Sequence, residues 1–354
     1  MSIDVGLIGY GFAGRVFHAP VLSAVNGLRL AAIVQRSAAP TAKDSPAERY
    51  PQTRILRNVD ELLRNASIRL VVIATPNPTH TELARRCLEA GRHVVVDKPF
   101  TTTSAEALQL IELAAARQLV LTVFQNRRWD ADFQTVRQVI SSGELGQIVS
   151  FESHYDRFRP LVRAEAWREL NQPGSGVLFD LGSHLLDQAL VLFGAPQWIL
   201  ADVRKERDGA AVDDAFDVCL GYPKLRAWLR ASMLAADSAF RFVVRGTRGT
   251  YTKYGLDPQE QALIQGATPN SPDWGMEPES AWGTLVQEES GRRSSEPVPS
   301  ARGDYRRFYE NVRDAILGKA ALQITAEEAY NVIRAIELAN ESSRRRCAIP
   351  WPNA

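Results

Sequence analysis

Short apolar runs alternate with amphipathic stretches over the first 124 residues. The runs are VGLIG near the start, LRLAAIV at 28–34, LVVIAT at 70–75, HVVVD at 93–97 and LVLTVF at 119–124. The last four are rich in β-branched residues or leucine, as strands buried on both faces are. The stretches between them carry helix signals. In PNPTHTELARRCLEAG, Asn77 can cap, Pro78 suits the first turn and Gly91 suits the position just past the end. In TSAEALQLIELAAARQ, Thr103 and Glu106 have capping-box spacing. Strand–helix alternation predicts a parallel sheet covered on both faces, and right-handed crossovers make it doubly wound α/β. Pro20 falls where the first helix should still run, which predicts a kink or restart near Ala19.

After Phe124 the pattern changes. DADFQTVRQVISSGELG reads as a helix that Asp130 can cap. QIVSFESHYDRF, PQWILADVRKE, AFDVCLGY, LRAWLRASML and FRFVVRG read as strands with few helices between them, and RGTRGTY has the glycines of a tight hairpin. This predicts an α+β domain with a large, mostly antiparallel open sheet. Segment 255–303 is polar and rich in Pro, Gly and Ser, which predicts long loops, and two closing helices follow at about 304–317 and 325–343. The expected division is therefore residues 1–124 and residues 125–354. An open sheet with helices on one face leaves the other free to pair with a second copy.

The first strand-to-helix turn is GYGFAG, with Gly9, Gly11 and Gly14. A lone GxGxxG is weak, but this one follows a strand, opens a helix and heads a series of βα units, which makes it a dinucleotide fingerprint. Gly9 permits the tight turn, Gly11 lets a pyrophosphate approach the backbone, and Gly14 lets helix and strand pack closely. Phe12 and Ala13 complete the turn, whose helix N-terminus offers free N–H groups to phosphate. An NAD site usually carries an acidic residue at the end of the second strand. Here that end reads IVQRSAAP, so Arg36 and Ser37 stand where the carboxylate would be. A guanidinium pairs well with a phosphate, so the expected cofactor is NADP rather than NAD.

The chain has 354 residues, 45% hydrophobic and 23% charged, with a formal net charge of +1. That balance gives no reason to expect a nucleic acid or an acidic membrane as partner. Three scattered cysteines argue against a disulfide framework or a zinc cluster and fit a reducing cytoplasm. No signal peptide, membrane-length apolar stretch or fixed-period repeat is read. No metal-ligand constellation is read, and hydride transfer needs none.

Two places carry candidate chemistry. VVVDKPF puts Lys98 at the carboxyl end of a buried strand, the end at which open α/β sheets bind ligands. Pro99 keeps it extended. A lysine there can reach a substrate hydroxyl and a cofactor ribose, or it can be an ordinary strand-exit lysine. In FDLGSHLLDQALVLFG, Leu181, Leu185, Ala189 and Leu192 recur at helical spacing. Asp180 and His184 are four apart, so the carboxylate can hold the imidazole on one side of the helix. His184 would then act as a general base. The alternative makes Asp180 an N-cap and His184 an interface residue.

GxGxxG at the start, TPNPTH at 75–80 and DKP at 97–99 make the chain resemble the Gfo/Idh/MocA family of sugar and polyol oxidoreductases along essentially its whole length. The common family motif is EKP, so Asp97 is a departure. HVVVDKPF, NRRWD at 126–130, FESHYDRFRP at 151–160, PGSGVLFDLGSHLLDQA at 173–189 and KYGLDPQE at 253–260 resemble its bacterial NADP-dependent scyllo-inositol dehydrogenase group. The resemblance implies a Rossmann domain and a catalytic set of Lys98, Asp180 and His184. It implies a cis Lys98–Pro99 peptide and a cofactor contact for Thr75, Pro76, Asn77 and His80. It also implies a cyclic polyol or sugar as substrate, an inositol above all, and a homodimer or homotetramer formed through the second sheet. Asn126, Arg127 and Arg157 are substrate candidates, although Arg127, Arg128, Arg157, Arg159 and Arg168 can equally pair with carboxylates. Two other readings belong to the same family: a nucleotide-sensing regulator, and an enzyme with tightly held NAD(P) acting on a glycoside or sugar.

Overall fold

The computed structural model describes residues 2–36, 45–163, 165–237, 240–289 and 291–352. The chain forms two compact units. The first comprises Met1–Asn126, Gln259–Trp274 and Asp304–Tyr330; the second comprises Arg127–Pro258, Gly275–Gly303 and Asn331–Ala354. Segments 259–274 and 304–330, which the split at 124/125 gave to the second domain, thus cluster with the first. Their side chains explain why. Phe308 meets Phe124 edge to face and Tyr309 packs tilted against it, with ring centroids 4.9 and 5.5 Å away. Thr122 Oγ1 donates to the Ile324 carbonyl at 2.7 Å, and the Tyr305 N–H donates to Gln259 Oε1 at 2.9 Å.

The first unit is built on a six-stranded parallel sheet. Its strands are β1 (Ile3–Ile8), β2 (Leu28–Val34), β3 (Arg54–Leu56), β4 (Ile68–Ile73), β5 (His93–Asp97) and β6 (Leu121–Phe124). Their order is β3-β2-β1-β4-β5-β6, with every pair parallel. β1 is buried along its whole length, which fits its central place. The order reverses between β1 and β4, and that switch point is where such sheets hold ligands. β3 escaped the sequence pattern because it is a three-residue edge strand with only Leu56 buried.

The helix signals meet mixed outcomes. Ser104–Ala116 has the full Thr103–Glu106 capping box, and Gly91 has φ +73° just past the helix His80–Glu89. The first helix starts as a π-wound turn, Gly14–His18, and resumes as α at Ala19–Ser23 with Pro20 in its first turn. That is the restart that Pro20 predicts. Asn77 is not the helix cap: it opens a 3₁₀ turn, Asn77–Thr79, and Thr79 occupies the cap position.

The second unit holds a nine-stranded sheet. Its strands are β7 (Ile148–His154), β8 (Trp198–Arg204), β9 (Ala215–Gly221), β10 (Arg226–Ser232), β11 (Phe242–Gly246), β12 (Gly249–Lys253), β13 (Gly283–Glu289), β14 (Arg292–Val298) and β15 (Ile349–Pro350). The order is β14-β13-β12-β11-β7-β10-β9-β8-β15. Only β7 and β10 pair in parallel. The long loops expected over 255–303 are a correction: a helix, Gln259–Ile264, and the β13–β14 hairpin lie there. β14 is exposed along nearly all of its length, so no apolar alternation marks it, and its place rests on the backbone ladder to β13. Asp130 stands at the cap position of Ala131–Ser142, but its side chain makes no cap bond there. Asp257 Oδ2 instead accepts the Ala131 N–H at 2.6 Å.

His93 gives the first unit a pH dependence. Its Nδ1 accepts the Val120 N–H at 3.0 Å, which only an unprotonated nitrogen can do. Burial, helped by the charge of Arg69, pushes its pKa down to about 4. The unfolded chain takes up that proton near pH 6.5, about the ordinary value. Stability is therefore fully present above about pH 6.5 and falls as pH drops toward 4. Chemical unfolding at pH 7 and at pH 4.5 should show a loss of about 1–2 kcal/mol that His93→Gln removes. An unchanged pH profile in that variant contradicts the assignment.

Candidate active site

At the carboxyl edge of the first sheet the glycine turn is held by contact. A Cβ on Gly9, whose φ is +97°, would lie 2.5 Å from the Ala74 carbonyl oxygen, and one on Gly14 would lie 2.1 Å from the Gly9 carbonyl oxygen. Neither position has room for a side chain. A Cβ on Gly11 would meet nothing within 4 Å. That open space beside the backbone is what a pyrophosphate needs.

A cavity of about 400 Å³ opens beside the turn, a size suited to part of a dinucleotide. Gly9, Gly11, Arg36, Thr75 and Pro76 border it. Tyr10, Gln35 and Thr79 do so as well, and sequence reasoning had not singled them out. Tyr10 and Gln35 follow the first two strand ends, so their positions were the available signal. The end of β2 presents Gln35 and Arg36 and no carboxylate. These residues fit a dinucleotide, and Arg36 adds a cation to the border of the cavity. Phe12 is 48% exposed, and Ala13 precedes the π-wound turn. Ser37 lies outside the described residues.

A second cluster of the first unit surrounds the end of β5. The Lys98–Pro99 peptide is cis, and Lys98 is half-buried. Asp97 Oδ1 accepts the Lys98 N–H at 2.9 Å and lies 3.4 Å from His18 Nε2. His18 Nδ1 is 2.5 Å from the Tyr309 hydroxyl. Burial raises the Asp97 carboxyl, but His18, Lys98 and His80 outweigh it and hold the group below its ordinary value. Burial, with the charge of Asp97, pushes the Tyr309 phenol well up. Asn77, His80 and Asn126 are buried in this unit. His18 and Tyr309 are 291 residues apart, so no spacing in the sequence links them.

In the second unit, Leu178–Gly182 is a π-wound turn that leads into the helix Ser183–Phe193. Asp213 Oδ2 accepts the Leu178 N–H at 2.7 Å and fixes the start of the turn. Asp180 lies inside the turn, so it is not an N-cap. It is flanked by Arg168, whose Nε is 3.2 Å from Oδ1, and by Arg157, whose Nη1 is 3.8 Å from Oδ2. His184 is buried, 4% exposed, and shares a helix face with Asp187 and Gln188. Asp187 takes both arms of Arg128 at 2.7 and 2.8 Å. Gln188 donates to the Arg127 carbonyl at 3.1 Å and accepts from Arg241 at 3.0 Å. The helix that carries His184 is thereby held from two sides.

The arginines divide. Arg127 is buried, 3.3 Å from Asp130 and over the Tyr155 ring at 4.9 Å. Arg157 lies 5.3 Å from the same ring. Tyr155 is a centre that sequence reasoning missed, since only packing brings Arg127, Arg157 and Arg241 to it. The structure thus gives Arg127 and Arg157 carboxylate partners, the second of the two roles that the sequence left open.

Residues 3–125 match the oxidoreductase family's NAD-binding Rossmann fold, and residues 137–350 match its C-terminal alpha/beta domain. The chain is 43% identical to the uncharacterized oxidoreductase YdgJ of Escherichia coli, with 98% of each chain covered. It is 36% identical to scyllo-inositol 2-dehydrogenase (NADP(+)) IolW of Bacillus subtilis, over 98% of this chain and 96% of that one. Among solved structures, the oxidoreductase yvaA of Bacillus subtilis superposes with a TM-score of 0.95 at 36% identity, covering 99% of each chain.

The two glycine environments separate folding from ligand binding. Gly11→Val should leave the melting temperature nearly unchanged and weaken dinucleotide binding at least tenfold. Gly14→Val should lower the melting temperature as well. Thermal unfolding and calorimetric titration with NADP read the two effects, and equal loss of stability in both variants contradicts the geometry.

Proposed function

The chain belongs to the Gfo/Idh/MocA oxidoreductase family, and from that premise we propose that it is an NADP-dependent dehydrogenase of a cyclic polyol or sugar, scyllo-inositol or a related inositol first among them. The observation that carries this reading is the open space at Gly11 beside a cavity bordered by Arg36, in a chain that retains Lys98, Asp180 and His184. The 36% identity to a scyllo-inositol 2-dehydrogenase along the full length supports the substrate class.

In this reading the cofactor, when bound, supplies the hydride acceptor at nicotinamide C4. His184 accepts the proton of the substrate hydroxyl while the C–H hydride departs from the same carbon, leaving a ketone. Lys98 donates a hydrogen bond to the substrate oxygen and to the cofactor ribose. Asp180 stabilises the charge that His184 acquires and holds Arg157 and Arg168 in place. The burial of His184 suits a base whose proton transfer must exclude water. Arg36 receives the 2′-phosphate.

His184→Ala should lower kcat about 100-fold or more while NADP affinity stays within about twofold. Steady-state kinetics over a panel of inositols and monosaccharides, read by absorbance of the reduced cofactor, tests both substrate class and base. Near-normal turnover in the variant dismisses His184 as the base. Equal kcat/KM for NAD and NADP in the unmodified protein dismisses the cofactor preference.

A further inference from the structure

The β2–β3 pair places an arginine on each of two neighbouring strand exits. Its ladder runs in register from Ala32 opposite Arg54 to Val34 opposite Leu56. The Gln35 N–H donates to the Leu56 carbonyl at 2.9 Å, and the Thr53 hydroxyl donates to the Leu30 carbonyl at 2.8 Å. β3 is therefore pinned to β2 at both ends, and the two strands leave the sheet together. Gln35 and Arg36 follow on one exit and Arg57 on the other. Neighbouring strands are about 4.8 Å apart, so one small group can meet both exits.

Arg57 Nη1 donates to the Gln35 and Arg36 carbonyls, each at 3.4 Å. These are long bonds, but they hold the guanidinium against the Gln35–Arg36 backbone. A guanidinium carries further N–H groups beyond the one so used. Arg36 and Arg57 are both exposed, and among the described residues neither pairs with a carboxylate. The two acids that follow Arg57 are engaged elsewhere, Asp60 with Arg86 and Glu61 with Asn58. Like charges on adjacent exits repel, and an anion that meets both removes the repulsion.

The nucleotide cavity says which anion fits. Gln35 and Arg36 border it, and so does Val59, which starts the helix just past Arg57. The sheet order β3-β2-β1 puts Arg57 on the side of Arg36 away from the glycine turn. Arg57 is thus remote from the pyrophosphate end of a dinucleotide and close to the ribose end. The anion that a dinucleotide can carry there is a 2′-phosphate, nearly a dianion at neutral pH, and guanidinium pairs with phosphate through parallel bonds. We propose that Arg57 is a second specificity-determining residue for the 2′-phosphate, so that preference for NADP over NAD is built on two strand exits. The proposal rests on the NADP reading above and extends it to a residue that β3 supplies. Through the Gln35 and Arg36 carbonyls, Arg57 also orients the segment that carries Arg36.

Calorimetric titration of the full-length protein with adenosine 2′,5′-bisphosphate and with 5′-AMP tests this. The probes differ only in the 2′-phosphate and need neither substrate nor turnover. Arg57→Ala should weaken binding of the bisphosphate about tenfold and leave that of 5′-AMP within about twofold. Equal loss for both probes means that Arg57 only shapes the Gln35–Arg36 segment, and it overturns the proposal. Arg57→Gln keeps a donor for the carbonyls without the charge, so it should lose bisphosphate affinity as the alanine variant does. Full affinity in Arg57→Gln overturns the role of the charge. If Arg57→Ala does not fold, Arg57→Gln carries the comparison. Equal affinity of the unmodified protein for the two probes overturns the NADP reading itself. A bisphosphate preference that survives intact in Arg57→Ala overturns this inference alone.

Discussion

A parallel ladder forces all strands of a sheet to finish at one edge, and the chemistry of the first unit follows from that constraint. β1 ends in the glycine turn, β4 in the Thr75–Pro76 turn, and β5 in Asp97 and Lys98. Neighbouring strands are a hydrogen bond apart, so their exits abut. The 2.5 Å from a hypothetical Gly9 Cβ to the Ala74 oxygen measures how closely. In such a space a glycine, a buried imidazole and a carboxylate are all set by the same few ångströms.

The second unit solves a different problem. Its interior holds charges, each matched to a partner: Arg241 with Asp132, Arg128 with Asp187, Arg207 with Asp214, and Lys253 with Glu277. Removing one member of such a pair typically costs about 3–5 kcal/mol, because the other is left buried and alone. These pairs add little stability over apolar residues. They do fix orientation, and the helix that carries His184 is among the elements they orient. Lys253 shows how complete the matching is: its ammonium also donates to the Tyr254 and Ala281 carbonyls at 2.7 Å.

The sequence was most legible where burial is continuous. β2 and β5 coincide with the runs at 28–34 and 93–97: in β2 only Arg29 is exposed, and Val94, Val95 and Val96 of β5 are buried in succession. The capping box at Thr103 was legible because it is local. β3 and the β13–β14 hairpin were not, since edge and exposed strands need no apolar pattern. The site divides along the same line. The glycine turn, Arg36 and the Asp180–His184 segment are motifs a few residues long. The partners of Asp97 and Asp180 come from distant segments, and nothing in a spacing announces that Tyr309 reaches His18 or that Arg168 reaches Asp180. Asn77 misled because a residue with cap chemistry can also open a 3₁₀ turn.

The account stands on hydride transfer from a polyol carbon to the cofactor, and isotope transfer tests it most directly. Scyllo-inositol deuterated at its ring carbons would be incubated with the protein and NADP, and the reduced cofactor weighed by mass spectrometry. The account predicts reduced cofactor heavier by one deuterium than that formed from unlabelled substrate. Reduced cofactor without the label, or none with any inositol or sugar of the panel, would contradict it.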